Sequence, residues 1–208
     1  MNVIAAASFA AEDLAGYPVP PAWRKATRNM IMATASIERA LALVPEVKID
    51  GRVALILGSS SGELEASADF LSTWAKLRMA RPVLFQNSLH NASTGFASIQ
   101  FKISGPSFTV SAKQRTPLEC IELARILLAE KQAEVALVTL VEGHKVLSDQ
   151  IGITSAREGA CTLVMRAGGP GRAPPMELEF VPLAGSQPLF DIQASEIYRW
   201  AAAWEQPS

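Results

Sequence analysis

Residues 105 to 119 read Gly105-Pro106-Ser107-Phe108-Thr109-Val110-Ser111-Ala112-Lys113-Gln114-Arg115-Thr116-Pro117-Leu118-Glu119. Phe108 to Ala112 predicts a short strand. Lys113, Gln114 and Arg115 then lead into four residues that fit a helix start. Thr116 is placed as N-cap, Pro117 in the first turn, and Glu119 three residues on, reaching back to the cap. The helix is predicted to run to about Lys131. Its apolar positions, Leu118, Ile121, Leu123, Ala124, Leu127 and Leu128, form a stripe broad enough to be largely buried. A strand that passes through a tight turn into a buried helix is the building unit of a layered α/β fold.

The flanking sequence repeats that unit. Toward the N-terminus, Arg52 to Gly58 is a run of Val, Leu and Ile that ends in Gly58-Ser59-Ser60-Ser61-Gly62, a strand buried on both faces entering a loop. A helix from about Glu63 to Leu77 follows. Between it and Gly105, the stretch from Arg81 to Ser107 is rich in small polar residues and reads as loop. Further upstream, Val3 to Ala11 is a first strand, and Gly16 to Pro21 a turn that Pro20 and Pro21 close to regular structure. A helix spans Trp23 to Leu43, with Met30, Ile31, Ala33, Ile37 and Leu41 on its apolar side and Pro45 ending it. Toward the C-terminus, Ala133 to Val141 and Cys161 to Arg166 are buried strands, Gly168 to Pro175 a loop, Met176 to Pro182 an edge strand, and Ser195 to Trp204 a short helix. Strands separated by helices predict a central, largely parallel sheet with helices on both faces.

Composition agrees with a folded, core-rich protein. Of 208 residues, 49% are hydrophobic and 19% charged, and 19 Lys and Arg stand against 20 Asp and Glu, a net charge of -1. That balance argues against disorder and gives no electrostatic footprint for nucleic acid. Cys120 and Cys161 lie far apart without a CxxC spacing, and His90 and His144 cannot complete a zinc site with them, so neither a metal nor a disulfide framework is expected. The apolar start has no preceding basic residue and is too short for a membrane span, which predicts a cytoplasmic protein.

The turn at 113–115 is where a nucleophile belongs, because the field of a helix N-terminus stabilises developing negative charge. The residue there is Gln114, whose amide exchanges hydrogen bonds but cannot attack a carbonyl. Cys120 falls near the start of the same helix, yet its neighbours Ile121, Leu123 and Ala124 argue for burial over activation, as does the apolar strand around Cys161. His90, in a polar loop, serves as a base or bonds the loop backbone, and His144 ends a strand at the edge where ligands bind in α/β sheets. Gly58-Ser59-Ser60-Ser61-Gly62 lacks both the GxGxxG spacing and the Lys-Ser/Thr pair of a phosphate cradle. Arg24, Lys25 and Arg28 read as a solvated helix face.

Four stretches together resemble the N-terminal half of a β-ketoacyl synthase, a condensing enzyme of the thiolase fold, and in particular the short stand-alone proteins of that kind. They are Arg24 to Met30, Leu57 to Leu64, Phe85 to Gly95 with its Ser88-Leu89-His90-Asn91-Ala92, and Gly105 to Ala112. The resemblance implies an α/β, layered thiolase-like half fold with a central mixed, mostly parallel sheet between helices. It treats 1–208 as one domain with 168–208 as an extension. Counting from Gly105-Pro106-Ser107, the family's catalytic cysteine falls on Gln114, and the catalytic histidines and lysine belong to a second half that this sequence does not contain. The resemblance therefore implies no catalytic residue and no cofactor.

A glutamine at that position is also what chain length factors look like. These are silent subunits of heterodimeric ketosynthases that shape the acyl tunnel in polyene, polyketide and fatty-acid-type pathways. On that likeness the partner is a complete β-ketoacyl synthase, with acyl carrier protein met through the complex. The subunit interface implied is Phe108, Thr109, Val110, Ser111 and Ala112, with His90, Asn91, Thr94 and Gly95 beside it. Phe96, Phe101, Phe108 and Gln114 are implied at the tunnel. Two alternatives remain: a glutamine-type decarboxylase of malonyl thioesters, with the Gln114 amide holding the enolate oxygen, and a degenerate scaffold.

Overall fold

Val53–Gly58 and Val135–Glu142 are the two described strands buried along their whole length. Such strands belong at the centre of a sheet covered on both faces. The computed structural model, which describes residues 1–143, 158–169 and 171, places them there. Its elements are β1 (Asn2–Ala10), α1 (Arg28–Ala42), β2 (Val53–Gly58), α2 (Leu64–Leu77), α3 (Pro82–Asn87), α4 (Ala92–Phe101), β3 (Ser107–Val110), α5 (Thr116–Ala129), β4 (Val135–Glu142) and β5 (Gly159–Arg166). The sheet order is β1-β5-β4-β2-β3.

Alternation along the central strands divides the core. Ala54 and Ile56 of β2, with Ala136 and Val138 of β4, point to α5, where Cys120, Ile121, Ala124, Leu127 and Leu128 meet them. Leu55 and Leu137 point the other way, to Ile37 and Ala40 of α1 and Ala97 of α4. The layered α/β arrangement with helices on both faces is as the sequence indicates. The sheet is mixed, and its pairings divide evenly: β2 runs parallel to β3 and β4, while β5 is antiparallel to β4 and β1.

Several boundaries differ from the sequence reading, each for a local reason. Trp23 is not in the first helix, because Pro21–Trp23 forms a 3-10 turn; the helix starts at Arg28, where the Thr27 hydroxyl accepts the Met30 N–H at 3.2 Å. Arg24 and Lys25 consequently precede the helix. Thr116 is not an N-cap: Lys113–Arg115 makes a 3-10 turn, and the Thr116 hydroxyl closes that turn, accepting from Ala112 N–H at 2.9 Å and donating to the Lys113 carbonyl at 2.7 Å. Glu119 pairs with Arg115 one turn back instead of reaching to position 116. The stretch read as polar loop holds two helices, α3 and α4, because Ser93, Thr94 and Ala97 are buried by their neighbours and tertiary packing overrides weak propensity. The expected edge strand 176–182, the helix 195–204, most of the 168–208 extension and His144 lie outside the described residues.

Candidate functional site

At the C-terminal ends of β2 and β4 the Ser-rich loop folds onto a carboxylate. Glu142, the last residue of β4, accepts the Ser61 hydroxyl at 2.7 Å, the Ser59 hydroxyl at 3.3 Å and the Ser60 N–H. Gly62 donates its N–H to Ser59 Oγ at 2.8 Å, and Asn29 Nδ2 donates to the Gly62 carbonyl at 2.8 Å. The loop's donors are thus directed to the chain's own carboxylate, which removes the likeness to a phosphate cradle. Gly62 has φ of 60° and the His90 ring lies against it, so the loop is closed by a left-handed residue with no room for a side chain.

Glu63 continues the cluster. It is buried at the N-terminus of α2 and accepts the Ser93 hydroxyl from α4, with Thr27 also donating to it. Burial raises its carboxyl above the usual carboxylate range, and the nearby Glu65 charge adds to the rise, while the hydroxyls of Ser93 and Thr27 oppose it. Sequence reasoning did not single out Glu63, Glu142 or Asn29. The one signal available was an acid closing an otherwise apolar strand, Val135–Glu142.

The 3-10 turn that carries Gln114 sits directly beside this loop, since Ser60 Oγ donates to the Lys113 carbonyl at 3.0 Å. Lys113 takes φ of 53°, and α5 begins at the next turn, so position 114 is held on a tight bend ahead of a helix N-terminus. Both cysteines are fully buried, and burial pushes both thiols well above the ordinary thiol value, which makes them core residues and not nucleophiles.

The residues implied at an interface or tunnel occupy three environments. β3 is an edge strand on which Phe108 is 39% exposed, and Thr94 of α4 is tied to Thr109 of β3 through their hydroxyls at 2.6 Å. Ser111 and Ala112 lie just past the strand. Asn91, Gly95 and Phe96 line an open groove of about 490 Å³ between the 21–30 segment, α3 and α4, together with Lys25, Leu89 and Ile99. Phe96 is set edge-on to Trp23, ring centres 5.4 Å apart. Phe101 instead packs against the core under β2. His90 is exposed over Gly62 and is not part of the groove wall.

No described helix is long and apolar enough to cross a membrane. A search of curated proteins finds no match. Among solved structures, the chain is similar to one in the ketosynthase ApeO in complex with its chain length factor ApeC from Xenorhabdus doucetiae, with TM-score 0.65, 20% identity, and 80% of this chain and 79% of that one covered. It is similar to the ishigamide ketosynthase/chain length factor, with TM-score 0.63, 21% identity, and 74% and 48% covered. It is also similar to AntDE:AntF, a type II polyketide synthase acyl-carrier protein in complex with its ketosynthase bound to the hexaketide, with TM-score 0.63, 11% identity, and 80% and 57% covered. In the last two the chain spans about half the length of its match. These likenesses establish the thiolase-like ketosynthase fold. The family model "Beta-ketoacyl synthase, N-terminal domain" matches residues 26–171, which takes in the Ser-rich loop, both helices of the groove and the Gln114 turn, and the chain belongs to that family.

Proposed function

We propose that this chain is a non-catalytic, chain-length-factor-like subunit that pairs with a complete β-ketoacyl synthase and shapes the tunnel holding its acyl chain. The observation that carries the reading is Gln114 on the bend between β3 and α5, the position that, counted from Gly105-Pro106-Ser107, corresponds in the resemblance to the family's cysteine nucleophile. An amide there forms no acyl thioester. Two further features support it. The alignment with the ApeO–ApeC complex covers four fifths of each chain, so the matched chain is close to this one in length. And β3 offers an edge unpaired among the described residues: the Pro106 and Val110 carbonyls accept from Leu55 and Ser59, so the backbone groups of Ser107 and Thr109 face outward.

In this reading β3 pairs with a strand of the synthase, Thr94 and Gly95 stand beside that seam, and Phe96 and Phe108 limit the tunnel. Acyl carrier protein is met in the complex, and the product is of polyene, polyketide or fatty-acid type. Co-expression with a candidate ketosynthase, affinity capture and native mass measurement test the proposal. A one-to-one heterodimer supports it. A chain that stays monomeric or forms only homodimers overturns it, and carbon dioxide release from malonyl carrier protein by the chain alone would favour the decarboxylase instead.

A further inference from the structure

Residues 70 to 118 carry Lys76, Arg78, Arg81, Lys102, Lys113 and Arg115 without one Asp or Glu, leaving thirteen basic against twenty acidic residues for the remainder. The β3 edge lies inside this acid-free stretch, and three of the six cations stand at the two ends of the strand. α4 runs alongside β3, with Thr94 bonded to Thr109 and Ser98 Oγ 3.3 Å from Ser107 Oγ, so Lys102, which ends α4, belongs to the Ser107 end. Lys113 and Arg115 belong to the Val110 end, in the 3-10 turn that leads into α5. All three are exposed. Between the charged ends lies an apolar centre, where Ile99 and Phe108 are exposed.

Lys113 is the most telling of them. Among the described residues, four other than glycine take a left-handed φ, and all four are basic: Arg78, Lys102, Lys113 and Lys131. Arg78, Lys102 and Lys131 end or follow α2, α4 and α5, where the helix dipole favours a cation. Lys113 instead precedes the N-terminus of α5, where the dipole disfavours positive charge, and its φ is 53°. Its neighbour Arg115 is held by Glu119 at 2.8 Å, whereas Lys102 and Lys113 take part in no ion pair among the described residues. A residue unfavourable on both backbone and electrostatic grounds, exposed at the end of an open strand, is one whose charge another molecule meets.

Symmetry decides between a second copy of this chain and a different partner. Two copies joined edge to edge about a two-fold axis run antiparallel, so the Lys102 end of one β3 meets the Lys113 and Arg115 end of the other, at both ends of the seam. Like charges set opposite each other on adjacent strands repel. A strand flanked by carboxylates meets no such repulsion and neutralises the two unpaired lysines. We infer that the β3 seam selects its partner by charge: Lys102 and Lys113 hold a second copy of this chain away and call for an acidic face on the strand that pairs there. That this strand belongs to a ketosynthase rests on the proposed function; its acidity rests on the placement of the lysines.

The test measures assembly with a ketosynthase by subunit titration at low and high salt, and pairing of this chain with itself by native mass measurement. The wild-type heterodimer is expected to weaken at least tenfold between low and high salt. K102E/K113E is expected to bind the synthase at least tenfold more weakly than the wild type at low salt, with the gap closing at high salt. Mixed with the wild-type chain, the same variant is expected to form a one-to-one dimer that the wild type does not form alone. K102G/K113G controls for folding: glycine tolerates φ of 56° and 53°, so the chain melts no lower while both charges are lost and synthase binding falls. Unchanged synthase affinity in both variants overturns the inference, as does a wild-type chain that pairs with K102E/K113E no more tightly than with itself. If no ketosynthase binds yet the wild-type chain pairs with K102E/K113E and not with itself, the charge selection stands and the subunit proposal fails.

Discussion

At the scale of single residues, the loop between β2 and α2 is held by groups that have no common sequence signature. Gly62 combines a left-handed φ with the His90 ring where a Cβ would sit, so Gly62→Ala is expected to lower stability by about 2 kcal/mol in urea unfolding, and His90→Ala in the same molecule to restore only the steric part. Glu142 collects three donors from Ser59, Ser60 and Ser61; Glu142→Ala should cost about 3 kcal/mol, while Glu142→Gln, which keeps one acceptor and can donate to a serine hydroxyl, should cost less than half of that. Glu63 supplies a pH test with a definite sign. Burial lifts its carboxyl above the ordinary 4.5, so the folded state holds its proton more tightly than the unfolded chain. Its favourable contribution is complete below 4.5 and is lost as pH rises through the folded value. Glu63→Gln is therefore expected to melt higher than the wild type at pH 7, with the gap closing below pH 4.5; a gap independent of pH would show that the carboxylate carries no such cost. Gln114 was found by counting along one continuous motif. Glu142 was not, because only the β2–β4 pairing brings position 142 to residues 59–61.

At the scale of elements, β1, β2, β4, β5 and the bodies of α1, α2 and α5 were legible because their apolar periodicity is strong and their ends carry Pro or Gly. The helices of the 81–107 stretch were not. Ser93, Thr94, Gly95 and Ser98 all favour turns over helix, and what makes α4 helical is the burial of Ala97 against α1 and β2 together with the Thr94–Thr109 and Ser93–Glu63 bonds, none of them local. The same misreading moved the cap of α5, where Thr116 has the right residue type but spends its hydroxyl on the preceding 3-10 turn. This account of α4 predicts the effect of Gly95→Ala. Gly95 is exposed inside the helix with nothing within 4 Å of an added Cβ, so alanine should stabilise the free chain by about 0.5–1 kcal/mol. If Gly95 borders the synthase, the same methyl group should weaken heterodimer assembly, and a titration of the two subunits reads that loss separately from the gain in melting temperature.

At the scale of the whole molecule, the sheet is covered on both faces and, among the described residues, unfinished along one edge. Helices α1 and α4 cover one side and α5 the other, yet among the described residues β3 is paired only to β2, is four residues long, and leaves Phe108 exposed. A short edge strand with an uncovered aromatic is a template for another strand, and the ladder shows which groups it offers, because the carbonyls of Pro106 and Val110 are already turned inward to β2. Ser107→Pro deletes one outward N–H and leaves the β2–β3 bonds intact, as proline tolerates an edge position whose N–H faces away from the sheet. The variant should fold with a melting temperature close to that of the wild type and bind the ketosynthase about tenfold more weakly, the loss of roughly one main-chain hydrogen bond from a continuous ladder. Phe108→Ala should add to that loss if the ring sits in the seam. Normal assembly of Ser107→Pro, measured by subunit titration, would move the subunit contact away from β3 and leave the groove around Phe96 as the surface to probe next.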